Sequence, residues 1–176
     1  MINKEVAIKN IADIQKVIPV SFAIYGTALG LIREGDIINH DLDTDLGIFE
    51  KDFKWGFITE LIQEKGFTIG NVFGMRTYGM EVSLSRDGVK TDIMLFYEKP
   101  DGTIWNSLWQ NGCRNQMADE IKHVYTKEMF ETETVIVQGH TLKTVGLKYI
   151  KHVYGDDWRI PVTKWDWRTD HKCIQK

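Results

Sequence analysis

A chain of 176 residues with 43% hydrophobic and 27% charged residues has the profile of one globular domain, not of a disordered or fibrous chain. A net charge of -3 excludes a general electrostatic pull toward nucleic acid or anionic membrane, so no nucleic-acid partner is expected. The two cysteines, Cys113 and Cys173, form no CxxC pair, and no apolar run reaches the length of a membrane span or a secretory signal; a reduced, cytoplasmic protein is the expectation.

In chain order, residues 3–17 read as an amphipathic helix stopped by Pro19. Residues 21–25 (SFAIY) read as a buried strand ending at Gly26. Residues 27–34 suit a short helix, with Thr27 as N-cap and Gly35 as terminator. Residues 45–49 read as a strand, and 53–65 as a second amphipathic helix closed by Gly66. Strands are expected at 67–73, 77–85 and 89–97, the last two joined in a hairpin by the Arg86-Asp87-Gly88 turn. Residues 100–118 lack periodicity and read as a long functional loop carrying Trp105, Asn106, Trp109, Asn111 and Arg114. Short strands at 134–137 and 141–145 precede a last helix at 146–154, and the aromatic tail is expected to pack back on the body. The sum is a single α+β (mixed α/β) domain over residues 1–176, a central mixed sheet flanked by helices.

Residues 25–47, YGTALGLIREGDIINHDLDTDLG, hold the chemistry-bearing pattern. Asp41, Asp43 and Asp45 alternate, and alternate residues of a strand point to one face. Asp43 and Asp45 would have Cα atoms roughly 6–7 Å apart. Like charges that close repel unless a cation lies between them, and oxygen ligands suit Mg2+, Mn2+ or Ca2+. Asp92 heads the apolar run IMLFY, where an uncompensated charge is expensive, so it is the candidate third carboxylate. Such a set can stabilise in-line phosphoryl transfer. Gly26 permits close backbone approach, Thr27 opens a helix whose N–H groups attract anions, and Arg33 is a candidate phosphate clamp.

The pattern GT-x-L-G-x-x-R-x-G from Gly26 to Gly35, followed by D-L-D-T-D-L-G from Asp41 to Gly47, resembles the LicD/fukutin family of the nucleotidyltransferase-fold superfamily. Thr91-Asp92-Ile93-Met94 resembles that family's third-carboxylate strand, and Tyr154-Gly155 with Trp158 and Pro161 resembles its closing YG-x-x-W-x-x-P motif. The resemblance implies a nucleotidyltransferase fold. It implies Asp43, Asp45 and Asp92 as ligands of Mg2+ or Mn2+, with Asp92 also a possible base and Asp41 in support. It further implies Gly26, Thr27 and Arg33 at the donor phosphates. The implied reaction moves a phospho-alcohol, of the phosphocholine or polyol-phosphate type, from a CDP-linked donor to a glycan hydroxyl. Nucleotidyl transfer from a nucleoside triphosphate is the alternative within the fold. Leu42, His40 and Thr44 depart from the family's common Asp, Trp and Ile, which leaves the metal site intact and the substrate open.

Asp41-x-Asp43-x-Asp45 also matches the start of a calcium loop, and a non-catalytic metal-binding module is the alternative of another class. Leu46 and Asp52 stand where that loop wants Gly and Glu. The five histidines show no metal-ligand spacing; His171 and Cys173 lie close, but a zinc site needs more ligands than that pair supplies. Trp105, Trp109, Trp158, Trp165 and Trp167 read as packing residues, and Lys148 and Lys151 as a solvated face. Neither a Walker motif nor GxGxxG is present.

Overall fold

The computed structural model describes residues 1–109, 120–162 and 164–175. Helix α1 (Lys4–Val17) is capped by Asn3, whose Oδ1 accepts from the Val6 N–H at 3.2 Å and satisfies one of the donors a helix start leaves free. Its Ala7, Ile8, Ile11 and Ile14 recur at three- and four-residue spacing and form one buried stripe. There follow β1 (Phe22–Ala23), α2 (Tyr25–Arg33), β2 (Asp43–Phe49) and α3 (Trp55–Lys65). Gly66 ends α3 at φ 73°, a left-handed conformation that glycine adopts without a Cβ clash. Then come β3 (Thr68–Met75), β4 (Tyr78–Arg86), β5 (Val89–Glu98), β6 (Ile104–Trp109), β7 (Glu120–Tyr125), β8 (Thr132–Val137), β9 (His140–Val145) and α4 (Leu147–Tyr154).

The strands form a mixed sheet in the order β3-β4-β5-β2-β1-β9-β8, with β6 and β7 continuing from the end of β5. The β2–β5 and β1–β9 pairs are parallel. Register decides which side chains share a face. Asp43 pairs with Lys90, Asp45 with Asp92 and Gly47 with Met94, while β4 sets Ser83 beside Asp92 and Glu81 beside Met94. The alternate residues Leu46, Ile48, Val82, Leu84, Ile93 and Leu95 are buried on the other face. Helix α1 contacts β2, β5 and β9, and α3 packs beside α1. A one-residue slip of β2 would drive Asp45 into that apolar layer and expose Leu46 and Ile48, at about 1.5–3 kcal/mol for each large apolar side chain.

The acidic face turns aromatic along β2 and β5. Phe22, Phe49, Phe96 and Phe130 pack at centroid distances of 4.8–6.4 Å, and a Cβ on Gly47 would lie 2.6 Å from the Phe22 ring. On the far side, Arg86 ties β4 to α1: its Nε donates to Asn10 Oδ1 at 2.8 Å and its Nη2 pairs with Asp13 at 2.8 Å.

Two local expectations are corrected. Thr27 is not the N-cap of α2; the helix begins two residues earlier, because Tyr25 takes φ 46° directly after extended Ile24 and β1 ends at Ala23. The stretch 100–118 is not one irregular loop: Ile104–Trp109 forms β6, which pairs with β5 and β7 and buries Trp105 against Tyr97. Asn111 and Arg114 lie outside the described residues. The tail does pack back, with Trp158, His171 and Cys173 buried.

Candidate active site

The start of α2 is built around β2. The Asp45 N–H donates to Thr27 Oγ1 at 2.8 Å, and the Ile24 N–H donates to the Asp45 carbonyl at 3.1 Å. Thr27 is thus buried and fixes the height of β2 relative to the helix. A Cβ on Gly26 would lie 3.1 Å from Asp41 Oδ2, so any side chain there would push that carboxylate aside by a few tenths of an ångström. Ile24 offers no side-chain cap, and the first α2 hydrogen bond runs from the Ala28 N–H to the Ile24 carbonyl. The N–H groups of the first turn therefore have no intrahelical partner, the arrangement that favours an anion.

Beside this turn lie the carboxylates. Asp92 is only 4% exposed; its Oδ1 accepts from Ser83 Oγ at 2.7 Å, and its Oδ2 lies 2.7 Å from Lys90 Nζ. The same ammonium lies 3.0 Å from Asp43 Oδ2. Burial pushes the Asp45 carboxyl well above its usual range, and the charges of Asp43, Asp92 and Glu81 push the same way. Burial also raises Asp92, against the pull of Lys90 and Ser83. Burial, aided by Asp92, lifts Glu81 to about 8. Asp41 rises to about 6, chiefly by burial, with Asp43 and Glu34 adding to it and His40 and Arg33 opposing. Burial works against the Lys90 charge, but Asp92 and Asp43 outweigh it and hold the ammonium above its ordinary range.

Among the described residues Lys90 is the cation that pairs with this acidic group, bridging Asp43 and Asp92, while burial first and neighbouring negative charge second keep the Asp45 and Glu81 carboxyls raised. Hard carboxylate oxygens in surplus are the donor set that Mg2+ or Mn2+ takes, so the residues present fit such a cation.

The structure brings Gly26, Thr27, Asp41, Asp43, Asp45 and Asp92 together. Arg33 sits at the other end of α2, about 9 Å along the axis from Thr27. Its guanidinium pairs with Glu34 at 2.7 Å and donates to the Trp158 carbonyl at 3.3 Å. Sequence reasoning missed Lys90, Ser83 and Glu81. The signal was present for Lys90, which lies two residues before Asp92 and so on its face; Glu81 and Ser83 could be placed only once the β4–β5 register was known. Lys148, read as solvated, pairs with Glu131 at 3.0 Å.

The family model described as LicD/FKTN/FKRP, nucleotidyltransferase domain, matches residues 20–144. The protein named ribitol-5-phosphate transferase FKTN from Homo sapiens is 34% identical over 152 residues, covering 85% of this chain and 32% of that protein. Its counterpart in Mus musculus is 35% identical over 153 residues, with the same coverage. The chain therefore spans about a third of the length of these curated relatives. Among solved structures, the lincosamide antibiotic adenylyltransferase LnuA, lincomycin-bound, aligns with TM-score 0.51 at 14% identity over 82% of both chains. ANT(2")-Ia in complex with adenylyl-2"-tobramycin aligns with TM-score 0.50 at 13% identity, covering 92% of this chain and 80% of that one. These two likenesses establish the nucleotidyltransferase fold.

Proposed function

The chain belongs to the LicD/FKTN/FKRP nucleotidyltransferase-domain family, and on that premise we propose that it is a metal-dependent phosphotransferase. It would move a phospho-alcohol, of the ribitol-phosphate type carried by its named relatives, from a CDP-linked donor to a glycan hydroxyl. The observation that carries the reading is the parallel β2–β5 register, which sets Asp45 beside Asp92 and next to the uncapped start of α2.

In the proposed reaction the acceptor hydroxyl attacks the phosphorus that bears the alcohol. A new P–O bond forms, the bond to the CMP phosphate breaks, and CMP leaves. Asp43, Asp45 and Asp92 would hold Mg2+ or Mn2+, which when bound neutralises charge developing on the phosphate oxygens. Asp92, a carboxylate raised by burial, would accept the hydroxyl proton. The first turn of α2 at Gly26 receives a donor phosphate through its free N–H groups. Thr27 acts by holding the backbone of Asp45. Arg33, at the far end of α2, would serve the donor only by exchanging the Glu34 carboxylate for a phosphate. Among the described residues no helix is long and apolar enough to cross a membrane.

A thermal-shift screen of CDP-alcohols and nucleoside triphosphates, each with and without Mg2+ or Mn2+, tests the proposal. Selective, metal-dependent stabilisation by CDP-alcohols is expected. Selective stabilisation by triphosphates would replace the reading with nucleotidyl transfer.

A further inference from the structure

Beside the start of α2 the fold closes a second cluster of ligating side chains. His123 on β7 is fully buried, His171 and Cys173 in the tail are 5% and 2% exposed, and one ligating atom from each lies within 4.8 Å of the others. In sequence, His171 and Cys173 form a pair with too few ligands. Folding supplies the third from a residue about 50 positions earlier.

The hydrogen bonding of the two imidazoles is incomplete in a particular way. His123 Nδ1 lies 2.8 Å from Tyr25 Oη, while its Nε2 is buried and has no partner among the described residues. His171 Nδ1 is likewise buried without a partner. Nearly all buried polar atoms in folded proteins are satisfied, so two orphaned ring nitrogens beside one thiol call for an explanation. With the Nδ1 proton of His123 donated to Tyr25 Oη, the Nε2 lone pair is free to ligate, and the hydroxyl orients the ring as an outer hydrogen-bond acceptor does behind a metal-bound imidazole. Tyr25 Oη is itself fixed by Asn106 Nδ2 at 2.9 Å and Tyr125 Oη at 2.8 Å. Among the described residues, Cys173 Sγ has a single hydrogen-bond contact, 3.8 Å to Tyr125 Oη.

The backbone holds these residues in place independently of any ion. The Val124 N–H donates to the Cys173 carbonyl at 2.9 Å, the Gln175 N–H to the Lys122 carbonyl at 2.8 Å, and the Lys172 N–H to the Val153 carbonyl at 2.8 Å. The His171 ring stacks on Tyr25 with 5.2 Å between centroids and 6° between planes. The tail is thus laid along β7 and under the first residue of α2.

We propose that His123, His171 and Cys173 supply three ligands, with water in the fourth position, to a borderline-soft transition-metal ion, with Zn2+ the first candidate, that staples the tail to β7 and to the start of α2. Nitrogen and thiolate donors suit zinc, whereas the carboxylates of the first site suit Mg2+ or Mn2+. Ligand atoms around tetrahedral zinc lie about 3.5 Å apart, so the widest separation here closes by about 1 Å on binding. The Cys173 thiol gives up its proton as the ion binds. The inference does not depend on the proposed reaction.

The test is cobalt substitution of the full chain, purified without a histidine tag and stripped with a chelator. Co2+ should give a thiolate-to-metal charge-transfer absorption at about one ion per chain, and Zn2+ should displace it. Cys173→Ser should abolish the band, whereas Cys113→Ser and Asp45→Asn should keep it. Absence of the band in the wild type needs no variant to read and overturns the proposal. So does a band that survives Cys173→Ser or disappears in Cys113→Ser.

Discussion

Asp45 on β2 stands directly beside Asp92 on β5 in a parallel ladder, although 47 positions separate them in sequence. A parallel pair requires the intervening chain to cross over, and here α3, β3 and β4 make the return. The returning β4 then adds Ser83 and Glu81 to the same face.

Glu81 is buried and held protonated to about pH 8, against an ordinary value of 4.5. The folded, metal-free chain therefore binds more protons than the unfolded chain between those values, and this group makes stability fall as pH rises through that window. Glu81→Gln should raise the metal-free melting temperature, with a gain that grows from pH 4.5 to pH 8. A gain that shrinks over that range would contradict the assignment.

Lys90 supplies the positive charge shared by Asp43 and Asp92. Lys90→Gln should lower metal-free stability and tighten Mn2+ binding several-fold, because a competing cation has gone. Isothermal titration measures the second effect; weaker Mn2+ binding would assign Lys90 a role in holding ligands rather than in balancing charge.

Thr27 accepts the Asp45 N–H inside the protein. Thr27→Val keeps the shape and orphans a buried donor, at about 1–3 kcal/mol. Urea unfolding should register that loss, and kcat should fall more than KM changes. A neutral effect on both would remove Thr27 from the positioning role.

In the metal-free chain, burial pushes His171 down to about 4 from 6.5, against a small opposing pull from Asp170. The unfolded chain binds the extra proton, so this group makes stability fall as pH drops from about 6.5 toward 4. The stability difference between wild type and His171→Phe should change by about 1.4 kcal/mol per pH unit across that window. A constant difference would mean that His171 is charged in the fold.

Much of this was legible from residue types alone. The stops at Gly35 and Gly66, and the period-two carboxylates at 43 and 45, are local signals that tertiary structure left unchanged. The start of α2 was not legible, because Tyr25 adopts a left-handed φ that nothing in its neighbours demands; its hydroxyl network with Asn106, His123 and Tyr125 holds it there. β6 was hidden because its pattern is buried on both faces and so lacks alternation. Glu81 and His123 acquire meaning only from partners that register brings to them, and register is a long-range property.

The most direct test of the account is nucleotide release from CDP-ribitol with Mn2+, followed by chromatography, for wild type, Asp43→Asn and Asp45→Asn. The account expects metal-dependent CMP from the wild type, stimulated by a glycan acceptor, and loss of at least a hundredfold in both variants, with circular dichroism unchanged. CMP release that persists in either variant, or pyrophosphate from a nucleoside triphosphate with no CMP from the CDP-alcohol, would contradict it.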